Sequence, residues 1–329
     1  MGKPRVWLGF AVSIIFLIIA FRGQDLARVG EALRQANYWL LPLAILLYGV
    51  GLWVRCLRWS VLLRAVHRCP ARELFPVVTV GFMANNLLPL RAGEVVRAYL
   101  LTNRRGVPTS TALATIAVEK VFDGLTMLAF MLVASLSVAL TAELWHVQLV
   151  AGLLFGGLLV LLALLTAEWS RHWLLQRGLR RLPARIAAPV GQAAHTFLAG
   201  LGTLRRRDDL LAVVGASLAT WLLEAAMYAV IALSFGLSLS PAAVLLVTAV
   251  ANLATLIPAS PGYVGPFEAG VLLALAGAVT VPREVALSYA IAVHAALYFP
   301  VTAVGLYYWW RESLSWRTVQ ALSAKEGGD

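Results

Sequence analysis

The sequence predicts an all-α polytopic membrane protein with about six full spans plus two broken re-entrant helical hairpins. Three observations predict it. The 329 residues are 60% hydrophobic and 13% charged, with a mean hydropathy of +0.81, whereas a soluble domain carries roughly twice that charged fraction. Apolar runs of about 20 residues, the length that crosses a hydrocarbon core of about 30 Å, recur along the chain. Two further apolar stretches are interrupted at their centres by proline, glycine and charge, which no continuous helix tolerates.

The full spans read, in order, as Val6 to Phe21, Tyr38 to Val54, Thr109 to Leu140, Val147 to Thr166, Leu210 to Phe235 and Val285 to Trp310. The first follows Lys3 and Arg5 as a signal sequence would. FRGQDLARVGEALRQ behind it holds no small-residue cleavage site, so it reads as a retained anchor. Position 6 is Val where a myristoylation signal at Gly2 needs Ser or Thr. No stretch between spans is long enough for a separate soluble domain.

The net charge of +11 sits in loops beside spans, the pattern membrane insertion selects, so it does not call for a nucleic-acid partner. Cytoplasmic placement suits Lys3 and Arg5, then Arg55, Arg58, Arg64, Arg68 and Arg72, then Arg91, Arg97, Arg104 and Arg105. It also suits the basic residues between Arg171 and Arg207 and the tail with Arg311, Arg317 and Lys325, while the other face keeps Arg22, Arg28, Arg34 and Arg283. Both termini are therefore expected in the cytoplasm, with the chain in the inner (cytoplasmic) membrane. Residues 170–209 mix apolar and basic positions at roughly helical spacing and read as a cytoplasmic amphipathic linker on the anionic inner leaflet, about 1 kcal/mol per basic residue. Ordinary positive-inside charge accounts for the same pattern. Cys56 and Cys69 flank an arginine-rich segment and are expected as reduced thiols, and without paired His or Cys they form no metal site. No metal or cofactor is expected.

The first break lies in NNLLPLRAGEVVRAYLL, residues 85 to 101. Arginine clusters on both sides make it a hairpin that enters and leaves by one face, with its tip near Asn85 to Gly93, where Pro89 removes a donor and Gly93 permits a bend. The second lies in residues 241 to 279, whose centre IPASPGYVGPFE packs three prolines and two glycines into twelve residues. Pro258, Pro261, Gly262 and Gly265 are its expected hinges, and it should enter from the outer face. Unsatisfied backbone in hydrocarbon costs several kcal/mol per group, so both breaks should be buried in protein or line a wet cavity. Each break carries Pro, then Gly, then Glu: Pro89, Gly93 and Glu94, then Pro261, Gly265 and Glu268. Residues 38–140 and 210–310 thus read as an inverted repeat, the pattern that points to a transport site near the midplane.

Charges inside spans need partners or water. Glu119 and Asp123 share one face of the helix from Thr109, with Lys120 about 100° away, and their expected partners are Arg91 and Arg97. Salt bridges that merely pin the hairpin would explain them equally. Glu268 opens a helix after a glycine-rich break, where carboxylates and bound anions compete for the same donors. Glu224 stands alone mid-span and should face the interior. His294 reads as a satisfied packing residue before a proton relay, and Tyr307, Tyr308, Trp309 and Trp310 as an aromatic belt.

In their order and spacing, NNLLPLRAGEVVRAYLL, VEKVFD and PASPGYVGPFE resemble the signature of the lysylphosphatidylglycerol synthase transmembrane region family, also called flippase-like domain proteins. The likeness covers roughly Leu8 to Trp310, and Lys120 departs from it where the family often has Arg. The resemblance implies one integral-membrane flippase-like domain over residues 1–329 that moves a phospholipid, glycolipid or other lipid between leaflets. The soluble aminoacyl transferase domain of multidomain members is not expected here. On this reading Arg91 and Arg97 attract a phosphate while Glu94 with Glu119 or Asp123 balances or selects a cationic group, and Asn86, Ser260 and Glu268 complete the substrate-binding candidates. The expected partners are a membrane lipid as substrate and the anionic inner leaflet, and a homodimer is compatible with the sequence. The competing readings are an integral-membrane transferase acting on a lipid-linked substrate and an accessory subunit of a cell-envelope pathway. No catalytic residues are assigned, since GxSxG and HExxH are absent.

Overall fold

The computed structural model describes residues 3–88, 92–167 and 184–311. Pro89, Arg91 and the first part of the linker, 170–183, lie outside the described residues. Among the described residues the chain forms twelve α-helices and no strand. They are α1 (Lys3–Phe21), α2 (Leu26–Gln35), α3 (Leu41–Leu63), α4 (Ala71–Leu87), α5 (Gly93–Arg105), α6 (Thr109–Ala134), α7 (Ala142–Thr166), α8 (Ala184–Gly200), α9 (Arg207–Ser234), α10 (Pro241–Ala254), α11 (Pro266–Ala278) and α12 (Arg283–Arg311).

Among the described residues four helical segments are long and apolar enough to cross a membrane: Tyr38–Leu63, α7, α9 and α12. The pair α1 and α2, bent by 83° at its break, makes a fifth if counted as one span. α6 has 26 residues, about 39 Å at 1.5 Å per residue, but its apolar run is interrupted by Glu119, Lys120 and Asp123. It stops at Ala134 rather than Leu140. The second span also departs from its expected end at Val54, since α3 continues to Leu63. Arg55 and Arg58, expected in a cytoplasmic loop, are buried inside the helix instead. Carboxylates arriving from other helices offset their charge, which a span-by-span reading does not see.

The broken stretches form short helices. α4 and α5 have 17 and 13 residues, and α10 and α11 have 14 and 13, so each is about 20–25 Å long and falls short of a core of about 30 Å. The local sequence sets their ends. Leu88 is extended (φ −108°, ψ 144°), as the residue before a proline prefers. The backbone N–H of Gly93 donates to Asn85 Oδ1 at 2.8 Å. A Cβ at position 93 would lie 2.0 Å from the Gly81 carbonyl oxygen, so a bare backbone is what lets α4 and α5 close on each other. α10 starts with Pro241 behind Ser240, whose hydroxyl caps the Ala243 N–H at 3.2 Å. α11 is preceded by the N-cap Gly265 at φ +101°, a conformation that favours glycine. Glu268, in the first turn of α11, accepts from the Gly265 N–H at 2.7 Å.

α3 packs along α9, α4 along α12, and α6 along α10. α1 lies across α11, α2 across α12, and α8 docks on α6, where Thr111 Oγ1 donates to the Thr196 carbonyl at 2.8 Å. Two large apolar clusters fill most of the interior, beside a small one of Ala20, Val29 and Leu287. One gathers Tyr48, Leu52, Met127, Phe130, Tyr228 and Phe267, and the other Cys56, Trp59, Leu62, Val96, Val118 and Phe122. On α3 and α6 the boundary between them falls at Arg55 and Asp123, with Arg58 one turn further along α3, where the charges collect.

Candidate functional site

Charged side chains from four helices, joined by an asparagine from a fifth, form a ladder. Arg97 of α5 makes two bonds of 3.1 Å to Glu119 of α6. Glu119 also lies 3.3 Å from Arg58 of α3, and Arg58 reaches Asp123 of α6 at 2.6 Å and the Ser217 hydroxyl of α9 at 2.9 Å. Asp123 accepts from the Trp221 indole N–H at 2.8 Å and lies 3.9 Å from Arg55. Arg55 closes on Glu224 of α9 at 2.9 Å. Glu224 in turn accepts from the Asn252 amide of α10 at 3.1 Å. Three arginines thus face three carboxylates, and the ladder is neutral as a whole. Two aromatic rings back it: Arg97 sits 4.3 Å from the centroid of Trp59 and Arg55 4.5 Å from that of Trp221, favourable for a desolvated guanidinium.

The ladder forms one wall of a cavity of about 220 Å³. Arg55, Asp123, Glu224 and Asn252 reach it from the ladder, and Glu94 and Lys120, paired at 3.2 Å, reach it from α5 and α6. Asn85 and Asn86 line it from the end of α4, and Gly262, Tyr263, His294 and Tyr298 line it from the second break and α12. Phe82, Met127, Phe155, Leu253, Leu256 and Leu297 supply an apolar face. The two breaks therefore meet here. Asn86 Nδ2 donates to Thr302 Oγ1 at 2.8 Å, tying the tip of the first hairpin to α12.

Of the residues selected from sequence, Asn86, Glu94, Asp123 and Gly262 line this cavity. Arg97 and Glu119 stand behind it, paired with each other in the ladder. Glu268 sits at its edge, 2.5 Å from His294 Nδ1. Ser260 is elsewhere: its hydroxyl and N–H both pair with Ser13 Oγ, at 2.8 and 2.9 Å, and pin α1 to the second break. Pro258 lines a separate small pocket with Ser260 and Tyr263, and Gly93, Pro261 and Gly265 shape the breaks. Sequence reasoning missed Arg55, Arg58, Trp221 and Asn252. Arg55 and Arg58 are three apart, with Cys56 and Trp59 buried beside them, and that spacing inside an apolar run was the available signal. Arg91, expected as a partner of Glu119 or Asp123, lies outside the described residues. Among the described residues no group of three or more His, Cys, Asp or Glu is placed to hold a metal ion.

The lysylphosphatidylglycerol synthase TM region family matches residues 6–305 of this chain. The chain belongs to that family. Among its relatives is a UPF0104 membrane protein of Methanothermobacter thermautotrophicus, 27% identical, with 93% of each chain covered. A second UPF0104 membrane protein of the same organism is 24% identical over 90% of this chain and 93% of the relative. Glycosyltransferase AglD of Haloferax volcanii is 26% identical over 92% of this chain, and the likeness spans 53% of AglD. No solved structure matches. For this family member the matched region holds every rung of the ladder and every cavity-lining residue named above.

Proposed function

We propose that the protein moves a membrane lipid between leaflets by seating its head group in the charged cavity while the acyl chains stay in the bilayer. The cavity carries this reading. Its roughly 220 Å³, walled by Glu94, Lys120, Asp123 and Glu224 on one side and by apolar side chains on the other, offers a polar seat for a head group. Lys120 is the basic group best placed to meet a phosphate, because its side chain is 36% exposed. Its bridge to Glu94 is part-exposed, whereas Arg55 is buried against Glu224 and Arg97 stands behind the cavity with Glu119. Glu94 and Glu224 would answer a cationic or hydroxyl-bearing part of the head group.

The packing supports a duplicated origin for the site. Exchanging residues 38–140 with 210–310 maps α4 against α12 onto α10 against α6, and α4 against α5 onto α10 against α11. A substrate site at the interface of repeated halves is what such transporters use. With Arg55, Arg58 and Arg97 in the core, Arg64, Arg68, Arg72, Arg104 and Arg105 remain near the loop end of α3 and the open end of the first hairpin. They favour a cytoplasmic position for that end.

A second reading, an integral-membrane transferase acting on a lipid-linked substrate, is favoured by the name of the chain's relative, glycosyltransferase AglD. Reconstitution into liposomes with a fluorescent phospholipid or glycolipid, scored by dithionite quenching without any sugar donor, separates the two. Fast crossing that Glu94→Gln slows at least about tenfold, or 1.4 kcal/mol, supports translocation. Crossing at the rate of empty liposomes, together with a mass shift of the lipid when a nucleotide- or polyprenyl-phosphate sugar is added, would overturn it in favour of transfer.

A further inference from the structure

His294 lies between two hydrogen-bond acceptors. Its Nδ1 is 2.5 Å from Glu268 Oε1 and its Nε2 is 2.7 Å from the Gly262 carbonyl oxygen. A neutral imidazole carries one N–H and an ionised carboxylate carries none. Both contacts are therefore hydrogen bonds only when the pair holds two protons in total. One arrangement is an imidazolium beside a carboxylate. The other is a neutral ring whose Nε2–H faces Gly262 while a protonated Glu268 donates to Nδ1. The two differ in the position of one proton, and both are net neutral. If that proton leaves, one ring nitrogen must turn a lone pair towards an oxygen at hydrogen-bond distance, in a part-buried site where an unmade bond is costly.

The contact at risk is structural. Gly262 belongs to the 3₁₀ turn Pro261–Tyr263 in the second break, and its carbonyl is what His294 holds against α12. Gly262, Tyr263, His294 and Tyr298 are all cavity-lining, so releasing the turn would reshape the cavity where the two breaks meet.

The surroundings set this pair apart. The other ionisable groups facing the cavity are Tyr48 and Arg55 of α3, Glu94 of α5, Lys120 and Asp123 of α6, and Glu224 of α9, besides Tyr263 in the turn and Tyr298 on α12 itself. Each of these three carboxylates pairs with an arginine or lysine. Tyr228 of α9 is a neighbour of Phe267, with ring centroids 6.4 Å apart. α1 offers Ser13, α4 Asn85 and Asn86, α7 Phe155 and α10 Asn252, none of them ionisable, and α2 meets α12 further along, at Ser288. Glu268, at the cavity's edge, is thus set apart from these carboxylates by a histidine partner, the side chain that exchanges a proton near neutral pH.

We propose that Glu268 and His294 form a binding site for a coupling proton. When loaded, it clasps the second break to α12; when it is empty, it lets the break go. The proton would enter from one side of the membrane and leave to the other, with one N–H or O–H bond formed and broken per cycle. This rests on the lipid-translocation reading, since it gives that movement its energy source.

Two measurements test it. ¹⁵N-histidine spectra of the full chain in nanodiscs, with His294 assigned by its disappearance in His294→Gln, are taken from about pH 5 to about pH 9. The expected result is a protonation or tautomer change at His294 that vanishes in Glu268→Gln, whose amide donates to Nδ1 while its oxygen still accepts from Gly265. A His294 signal that does not change with pH overturns the proton site. In proteoliposomes, a one-unit pH gradient should shift the leaflet distribution of labelled lipid by up to about tenfold per proton coupled, and Glu268→Gln should abolish the shift. Lipid movement indifferent to the gradient overturns the coupling. If the wild-type protein moves no lipid, the translocation reading falls, and the spectra alone decide the proton site.

Discussion

Replacing Arg58 with Met tests whether the ladder is held by charge balance or merely accommodated by the core. Arg58 is 0% exposed and touches Asp123 at 2.6 Å and Glu119 at 3.3 Å. Its loss leaves two arginines against three carboxylates. Glu119 keeps both bonds from Arg97, whereas Asp123 keeps only the Trp221 N–H and a distant Arg55 at 3.9 Å. The cost therefore falls on Asp123. Leaving one member of a buried ion pair uncompensated costs about 3–5 kcal/mol. Adding Asp123→Asn restores neutrality and retains an oxygen for Trp221, so the double variant should recover at least about 2 kcal/mol relative to the sum of the singles. Equilibrium unfolding in mixed micelles, followed by tryptophan fluorescence, measures both. Arg64→Met is the control, since that side chain is 55% exposed where it meets Asp209, and it should change stability by less than about 1 kcal/mol. An Arg58→Met variant within about 1 kcal/mol of wild type, or single costs that add to within about 0.5 kcal/mol, would refute the reasoning.

Three further outcomes are expected. Lys120→Met should slow lipid crossing while shifting unfolding by less than about 1 kcal/mol, because its bridge to Glu94 is part-exposed; a loss above about 2 kcal/mol would recast the pair as structural. Gly124→Ala places a Cβ 1.9 Å from Phe155 Cε1, an overpacking worth about 1–3 kcal/mol. Adding Phe155→Leu should return most of it, and a double variant no more stable than the single would contradict that geometry. Asn86→Leu and Thr302→Val each remove the bond that ties the first hairpin to α12 and should each cost about 1 kcal/mol. In unfolding measurements the double should cost little more than the worse single, and full additivity would show that the two residues do not act together.

Much of the architecture could be read from the chain. Each full-span reading coincides largely with a helix, and both breaks fall where Pro, Gly and charge interrupt apolar runs, because backbone in hydrocarbon leaves few alternatives to an intact helix. Glu224 faces the interior as an isolated mid-span carboxylate should. His294 is satisfied at both nitrogens, though what it satisfies turned out to be the second break. Arg97, also placed with the cytoplasmic set, is buried against Glu119, and the other two misplaced arginines failed for a specific reason. Arg55 and Arg58 follow an apolar run and precede Arg64, Arg68 and Arg72, so hydropathy reads all five as one loop-side cluster. Only the arrival of Asp123 and Glu224 distinguishes the first two.

Composition and the positions of Pro, Gly and charge determined by themselves that this chain is membrane-embedded, all-helical and twice broken, since these follow from what each segment alone tolerates in lipid. Which charge answers which was decided by the tertiary structure. Arg58 and Asp123 are 65 residues apart, and Arg55 and Glu224 are 169 apart. Pairing in a low-dielectric interior depends on separations of a few ångströms, and those are set by how α3, α6 and α9 pack, not by spacing along the chain.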